Sequence, residues 1–126
     1  MNFETKVYGH IQGVQIRRTF TLNEANGLLP LIYRITDEVH QRVKKMIHRI
    51  EGLQGTNPML ASEIEAEINR EFNKWQNKIT RLGAVPKGMW LADFDHGVGY
   101  YCWKFPETKI KFSHGYQDGF SGRTEI

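Results

Sequence analysis

The sequence predicts an α+β domain: an antiparallel two-helix hairpin packed on a three-stranded antiparallel β-meander. Two observations carry the architecture. Apolar residues recur at helical spacing in two runs between Leu28 and Leu82, and after Pro86 the period changes to short runs of aromatic and β-branched residues separated by turn residues. A third observation bounds the size. The chain has 126 residues, about one domain at ~100–200 residues each. Leu, Ile, Val and Phe make up about a quarter of it, above the ~20% level below which charged chains stay disordered. The length excludes a full barrel enzyme and a two-domain dinucleotide enzyme.

The first helix is expected to open at Thr21. Thr21-Leu22-Asn23-Glu24 is a capping box, in which the Thr hydroxyl accepts from the backbone at Glu24 and the Glu24 side chain reaches back. Apolar residues follow at Leu28, Ile32, Ile35, Val39, Val43, Met46, Ile50 and Leu53, in steps of three and four. Pro30 is expected to kink or restart the helix, because an interior proline costs ~3 kcal/mol. Gly52 to Ala61 reads as the connecting loop. The second helix is expected to open at Ser62 and to carry Ile64, Ile68, Phe72, Trp75, Ile79 and Leu82, with Gly83 as its stop. Two striped helices on a short loop fold as a hairpin over 21–83.

Three strands are expected beyond Gly88: Met89 to Phe94, Tyr100 to Phe105 and Ile110 to Ser113. Asp95-His96-Gly97-Val98-Gly99 and Pro106-Glu107-Thr108-Lys109 separate them. A glycine-rich tail, Gly115 to Arg123, completes the small sheet region over 88–126. Residues 1–17 form an N-terminal arm, either loose or an edge strand in which Val14, Ile16 and Arg18 alternate.

The formal charge of +3 falls short of the strong basic footprint of a dedicated nucleic-acid binder. The excess comes from the arm and the first helix, while residues 86–126 balance five bases against five acids and hold nine of the fifteen aromatic residues. Cys102 is the single cysteine, so no intrachain disulfide framework exists. No run approaches the ~18–20 apolar residues of a membrane span, and the N-terminus lacks the basic-then-apolar pattern of a secretory signal. The expected location is the cytoplasm, with no membrane partner.

Thr21-Leu22-Asn23-Glu24-Ala25-Asn26 followed by Leu28-Leu29-Pro30 resembles the opening signature of a bacterial family catalogued as domain of unknown function 2203. Its second signature resembles Gly88, Asp93-Phe94, Cys102-Trp103, Glu107, His114 and Gly119-Phe120-Ser121-Gly122-Arg123, in that order. The resemblance spans about residues 18–123. It implies a small bacterial protein without an assigned activity, and so supports the architecture more than a function. The family usually has an aromatic residue where this chain has Ser113, and often acids where it has Gly115 and Gln117.

Three sites are candidates. Imidazole and carboxylate ligands suit a divalent metal such as zinc, manganese or iron, and the meander gathers Asp93, Asp95, His96, His114 and Asp118 at one end of the sheet. The plain alternative is that Asp93 and Asp95 shape a turn and His114 satisfies backbone groups. Glu107 lies seven residues from His114, roughly 23 Å along an extended strand at ~3.3 Å per residue, so the two share a site only if that strand is broken. Asp93, Cys102 and His114 are the catalytic candidates, with Cys102 either a nucleophile or a small buried strand residue. Gly119, Gly122 and Arg123 offer backbone N–H groups and a guanidinium fork to an anion, unless Arg123 pairs with Asp93 or Glu107.

The leading functional reading is a protein-interaction or self-assembly module, a homodimer through the helical hairpin, because the first apolar stripe is long and no complete catalytic set is present. The alternative is a small metal- or anion-dependent enzyme or ligand-binding domain with its site on the C-terminal sheet. A weak nucleic-acid binder using Arg17, Arg18, Arg42, Lys44, Lys45 and Arg49 is a further, disfavoured reading, since Asp37, Glu38 and Glu51 dilute the patch.

Overall fold

The computed structural model describes residues 18–126, together with the backbone of two short paired strands, β1 (His10–Ile11) and β2 (Val14–Gln15). The rest of the arm expected over 1–17 lies outside the described residues. The fold is α+β. Helices α1 (Leu22–Leu53) and α2 (Pro58–Arg81) precede strands β3 (Val85–Gly88), β4 (Leu91–Asp95), β5 (Tyr100–Lys104), β6 (Phe112–His114) and β7 (Thr124–Glu125). The last five form one antiparallel sheet in chain order.

The capping box forms as expected. Glu24 N–H donates to Thr21 Oγ1 at 3.1 Å and Thr21 N–H to Glu24 Oε1 at 2.8 Å. Pro30 stays inside α1 without ending it. It is exposed and early, and the helical bond it cannot make is the one to the Asn26 carbonyl. The Asn26 side chain instead accepts the Ile110 N–H at 2.9 Å, tying the helix to the loop before β6.

The buried stripe of α1 is Ala25, Leu29, Ile32, Thr36, Val39 and Val43, so Leu29 and Thr36 take inner positions that an apolar count gives to Leu28 and Ile35. Thr36 is fully buried. Its hydroxyl donates to Ile32 O at 2.7 Å and accepts from Trp75 Nε1 at 2.8 Å, which satisfies the indole at the centre of the hairpin. Farther along, Glu71 bonds Arg42 Nε at 2.9 Å. Burial alone raises the Glu71 pKa, but the hydrogen bond and charge of Arg42, aided by Lys74, outweigh it and hold it below the usual value.

Two expected boundaries are corrected. Helix α2 opens at Pro58, not Ser62, because Asn57 caps it by accepting the Leu60 N–H at 3.2 Å and proline suits the first helical turn. The sheet has five strands, not three. β3 contains Pro86 and reads as a linker, yet it is an edge strand, where proline is tolerated. β7 is short and exposed and becomes a strand only by pairing with β6. Between β3 and β4, Trp90 adopts a left-handed φ of 69°, a strained conformation for a bulky residue. Its ring packs against Trp75, with centroids 5.2 Å apart, and against Phe72 and His40. The helices cover the sheet through Ala92, Phe94 and Trp103, all fully buried. Among the described residues, no helix is long and apolar enough to cross a membrane.

Replacing Thr36 by Val keeps the shape and removes the acceptor for Trp75 Nε1. Stability is expected to fall by about 1–3 kcal/mol, read as a lower urea midpoint at unchanged slope. Thr36→Ser, which keeps the hydroxyl, should retain most of the stability, and a wild-type midpoint in Thr36→Val would refute this account of the hairpin centre.

Candidate metal centre

Side chains along a strand point alternately to the two faces of the sheet. In β4, Ala92 and Phe94 face the helices, so Asp93 and Asp95 face away. In β5, Trp103 faces the helices, so Tyr100 and Cys102 face away. The register sets Asp93 opposite Cys102 and Tyr100 opposite His114, which puts Asp93, Cys102 and His114 on one patch of the helix-free face. Gly99 makes this approach feasible: a Cβ there would lie 2.6 Å from the His114 carbonyl oxygen.

One ligand-type atom from each of Asp93, Cys102 and His114 lies within 4.8 Å of the others, and all three residues are buried. His114 Nε2 is 3.0 Å from Asp93 Oδ2. His114 Nδ1 lies 2.9 Å from Gly115 O, and a carbonyl accepts only, so Nδ1 carries a proton and Nε2 is the nitrogen turned to the cluster. A backbone carbonyl holding the far ring nitrogen in this way is the common support of a metal-binding imidazole.

Burial pushes the Asp93 carboxyl up, against the opposing charge of His114, a hydrogen bond from Cys102 and the charge of Lys87. Burial and the Asp93 charge push the Cys102 thiol up to about 12, and the nearby Arg123 offsets only part of this. An activated nucleophile needs the opposite shift. Burial thus favours the neutral forms of Asp93 and Cys102.

Arg123 stands near Cys102, close enough for each to shift the other's pKa. Its guanidinium forks onto Glu107, with Nη2–Oε2 at 2.7 Å and Nη1–Oε1 at 3.2 Å, and lies 4.0 Å from the Phe112 ring centroid and 4.2 Å from that of Phe120. The fork considered for an anion thus engages Glu107. This corrects the separation expected for Glu107. Residues 105–111 do not continue a strand: Glu107 N–H returns to Lys104 O at 2.8 Å, Lys104 N–H donates to Glu107 Oε1 at 2.9 Å and Trp103 Nε1 donates to Glu107 O at 2.7 Å. The resulting turn brings Glu107 to the cluster through Arg123.

Asp95 and His96 are placed elsewhere. Asp95 Oδ1 accepts from Tyr116 Oη at 2.7 Å and from Gly97 N–H at 2.9 Å, and the His96 ring packs on Tyr101 with centroids 4.6 Å apart. The tail folds back over the cluster. A cleft of about 170 Å³ remains, lined by Asp93, Cys102, His114, Lys87, Leu91, Asp118, Gly119 and Phe120. Lys87 carried no signal in the sequence, because its strand is interrupted by Pro86.

Residues 18–126 match the family described as uncharacterized conserved protein, domain of unknown function 2203, and the chain belongs to that family. No curated protein and no solved structure gives a match.

Gly99→Ala is expected to force β5 and β6 apart beside His114 and cost about 1–3 kcal/mol, as overpacking does. Gly119→Ala meets nothing within 4 Å and should stay within about 0.5 kcal/mol of wild type. Chemical denaturation of the two variants checks this, and equal midpoints would refute it.

Proposed function

We propose that this domain binds a divalent transition metal, zinc first, through Cys102 Sγ, His114 Nε2 and a carboxylate oxygen of Asp93. The observation that carries the reading is the convergence of these three donor types, within 4.8 Å and buried, with Nε2 aimed inward by the Gly115 carbonyl. A tetrahedral zinc with bonds of ~2.0–2.3 Å needs ligand atoms about 3.3–3.8 Å apart, so side-chain adjustments of about 1 Å or less suffice. One sulfur, one nitrogen and one oxygen suit zinc or ferrous iron better than magnesium or calcium. When bound, the ion would stabilise the Cys102 thiolate that burial disfavours, with release of the thiol proton. Three protein ligands beside a cleft is the pattern of a site with an open position. The reading also favours the cytoplasm, where a reducing environment keeps Cys102 a thiol.

Chelator-treated protein is expected to take up one zinc per chain, with proton release and tighter binding at higher pH, because the raised Cys102 must deprotonate. Zinc at 100 times its Kd should add about 2.7 kcal/mol of stability. Cys102→Ser and His114→Gln should abolish stoichiometric uptake, while His96→Ala should retain it. Native mass spectrometry with calorimetry reads all of these, and absence of uptake by the folded wild type would overturn the proposal.

Self-association through the hairpin is a second reading, favoured by two exposed apolar side chains near the α1–α2 connection, Ile47 at 40% and Met59 at 75% exposure. Light scattering coupled to size exclusion is expected to give a dimer that Met59→Lys weakens. A concentration-independent wild-type monomer would remove this reading.

A further inference from the structure

The cleft above the triad has a definite chemical character. Asp93, Cys102 and His114 form its floor, Lys87 is the cation in its wall, and Leu91 and Phe120 give it an apolar side. Arg123 is committed to Glu107, and Asp118 Oδ2 accepts the Gly115 N–H at 3.2 Å. Lys87 is exposed, with its ammonium 4.7 Å from the Tyr100 ring centroid, and it lies close enough to lower the Asp93 pKa against the effect of burial. Phe120 is 38% exposed where it borders the cleft, and its ring also carries the Arg123 guanidinium at 4.2 Å. The cleft, about 170 Å³, is on the scale of a small ligand.

Resting on the metal reading above, we infer that this cleft binds a small carboxylate on a short aliphatic chain. Its oxygens sit between the open side of the Asp93–Cys102–His114 metal site and the Lys87 ammonium, and its carbons lie against Leu91 and Phe120. A charge-assisted contact to Lys87 fixes the head, and the apolar wall selects a tail of a few carbons. Lys87 is a binding residue here, and Phe120 a specificity-determining one.

The test uses the full chain loaded with cobalt(II), whose visible spectrum reports its coordination. Acetate, butyrate and inorganic phosphate are titrated into wild type, Lys87→Met and Phe120→Ala, and cobalt affinity is measured separately for each. Acetate and butyrate are expected to shift the spectrum, with butyrate bound roughly fivefold to tenfold more tightly. Lys87→Met should weaken both carboxylates roughly tenfold while cobalt uptake stays at one ion per chain. Phe120→Ala should remove the preference for butyrate. Stoichiometric cobalt uptake with a spectrum indifferent to carboxylates would overturn this inference and leave the metal reading standing. Failure of the folded wild type to take up cobalt or zinc would overturn both. Phosphate binding as tightly as butyrate would overturn the ligand class, and unchanged carboxylate affinity in Lys87→Met would overturn the role of Lys87.

Discussion

Strand β4 is buried on both of its faces, and the two faces are chemically opposite. Ala92 and Phe94 press on the helices, while Asp93 and Asp95, at 2% and 5% exposure, point the other way. An antiparallel sheet ordinarily leaves one face to solvent. Here carboxylates sit under cover, and a buried carboxylate is costly unless it is hydrogen-bonded or paired. The surrounding structure answers that requirement. Tyr116 and the Gly97 N–H serve Asp95, and His114 and Cys102 serve Asp93. The tail must therefore fold back over the sheet, and β7 closes it by pairing with β6.

Five of the residues on which the family resemblance rests form one connected chain of contacts. Asp93 meets His114 and Cys102, Cys102 meets Arg123, and Arg123 forks onto Glu107. Glu107 is in turn fixed by the Trp103 indole and the Lys104 backbone. The core face and the site face are thus coupled through neighbouring residues of β5: Trp103 is buried among the helices and braces the turn that carries Glu107, while Cys102 points to the cluster. Bidentate pairing, with Phe112 and Phe120 beside the guanidinium, gives Arg123 a fixed geometry that a solvated cation lacks. This positions the tail over the cluster.

Legibility followed the range of the interactions. The capping box at Thr21 and the helical period of both runs depend on neighbours three and four residues away; the box and both helices form, with the buried stripe of α1 shifted to Leu29 and Thr36. The start of α2 at Pro58 was legible in principle from Asn57-Pro58, an N-cap followed by a first-turn proline, but the two glycines of the same stretch read as loop. β3 was hidden by Pro86, whose effect depends on whether its strand lies at an edge or at the centre. β7 has no pattern of its own. The position of Thr36 inside the hairpin was not legible either, because a polar residue enters a stripe only when a partner such as Trp75 Nε1 is waiting for it.

The sequence by itself determined the fold class, the two helices, and the residues able to carry chemistry, since residue type and local period are properties of the chain. It named Asp93, Cys102 and His114 but also Asp95 and His96, and it separated Glu107 from His114 by counting along an extended strand. Only the tertiary structure decided which of these meet. Strand register chose the face and the partners, setting Asp93 opposite Cys102 and His114 beside them, and the turn after Lys104 returned Glu107 to the cluster through Arg123. Register and chain reversal are set by pairing between distant segments, and no local reading of composition or spacing contains that information.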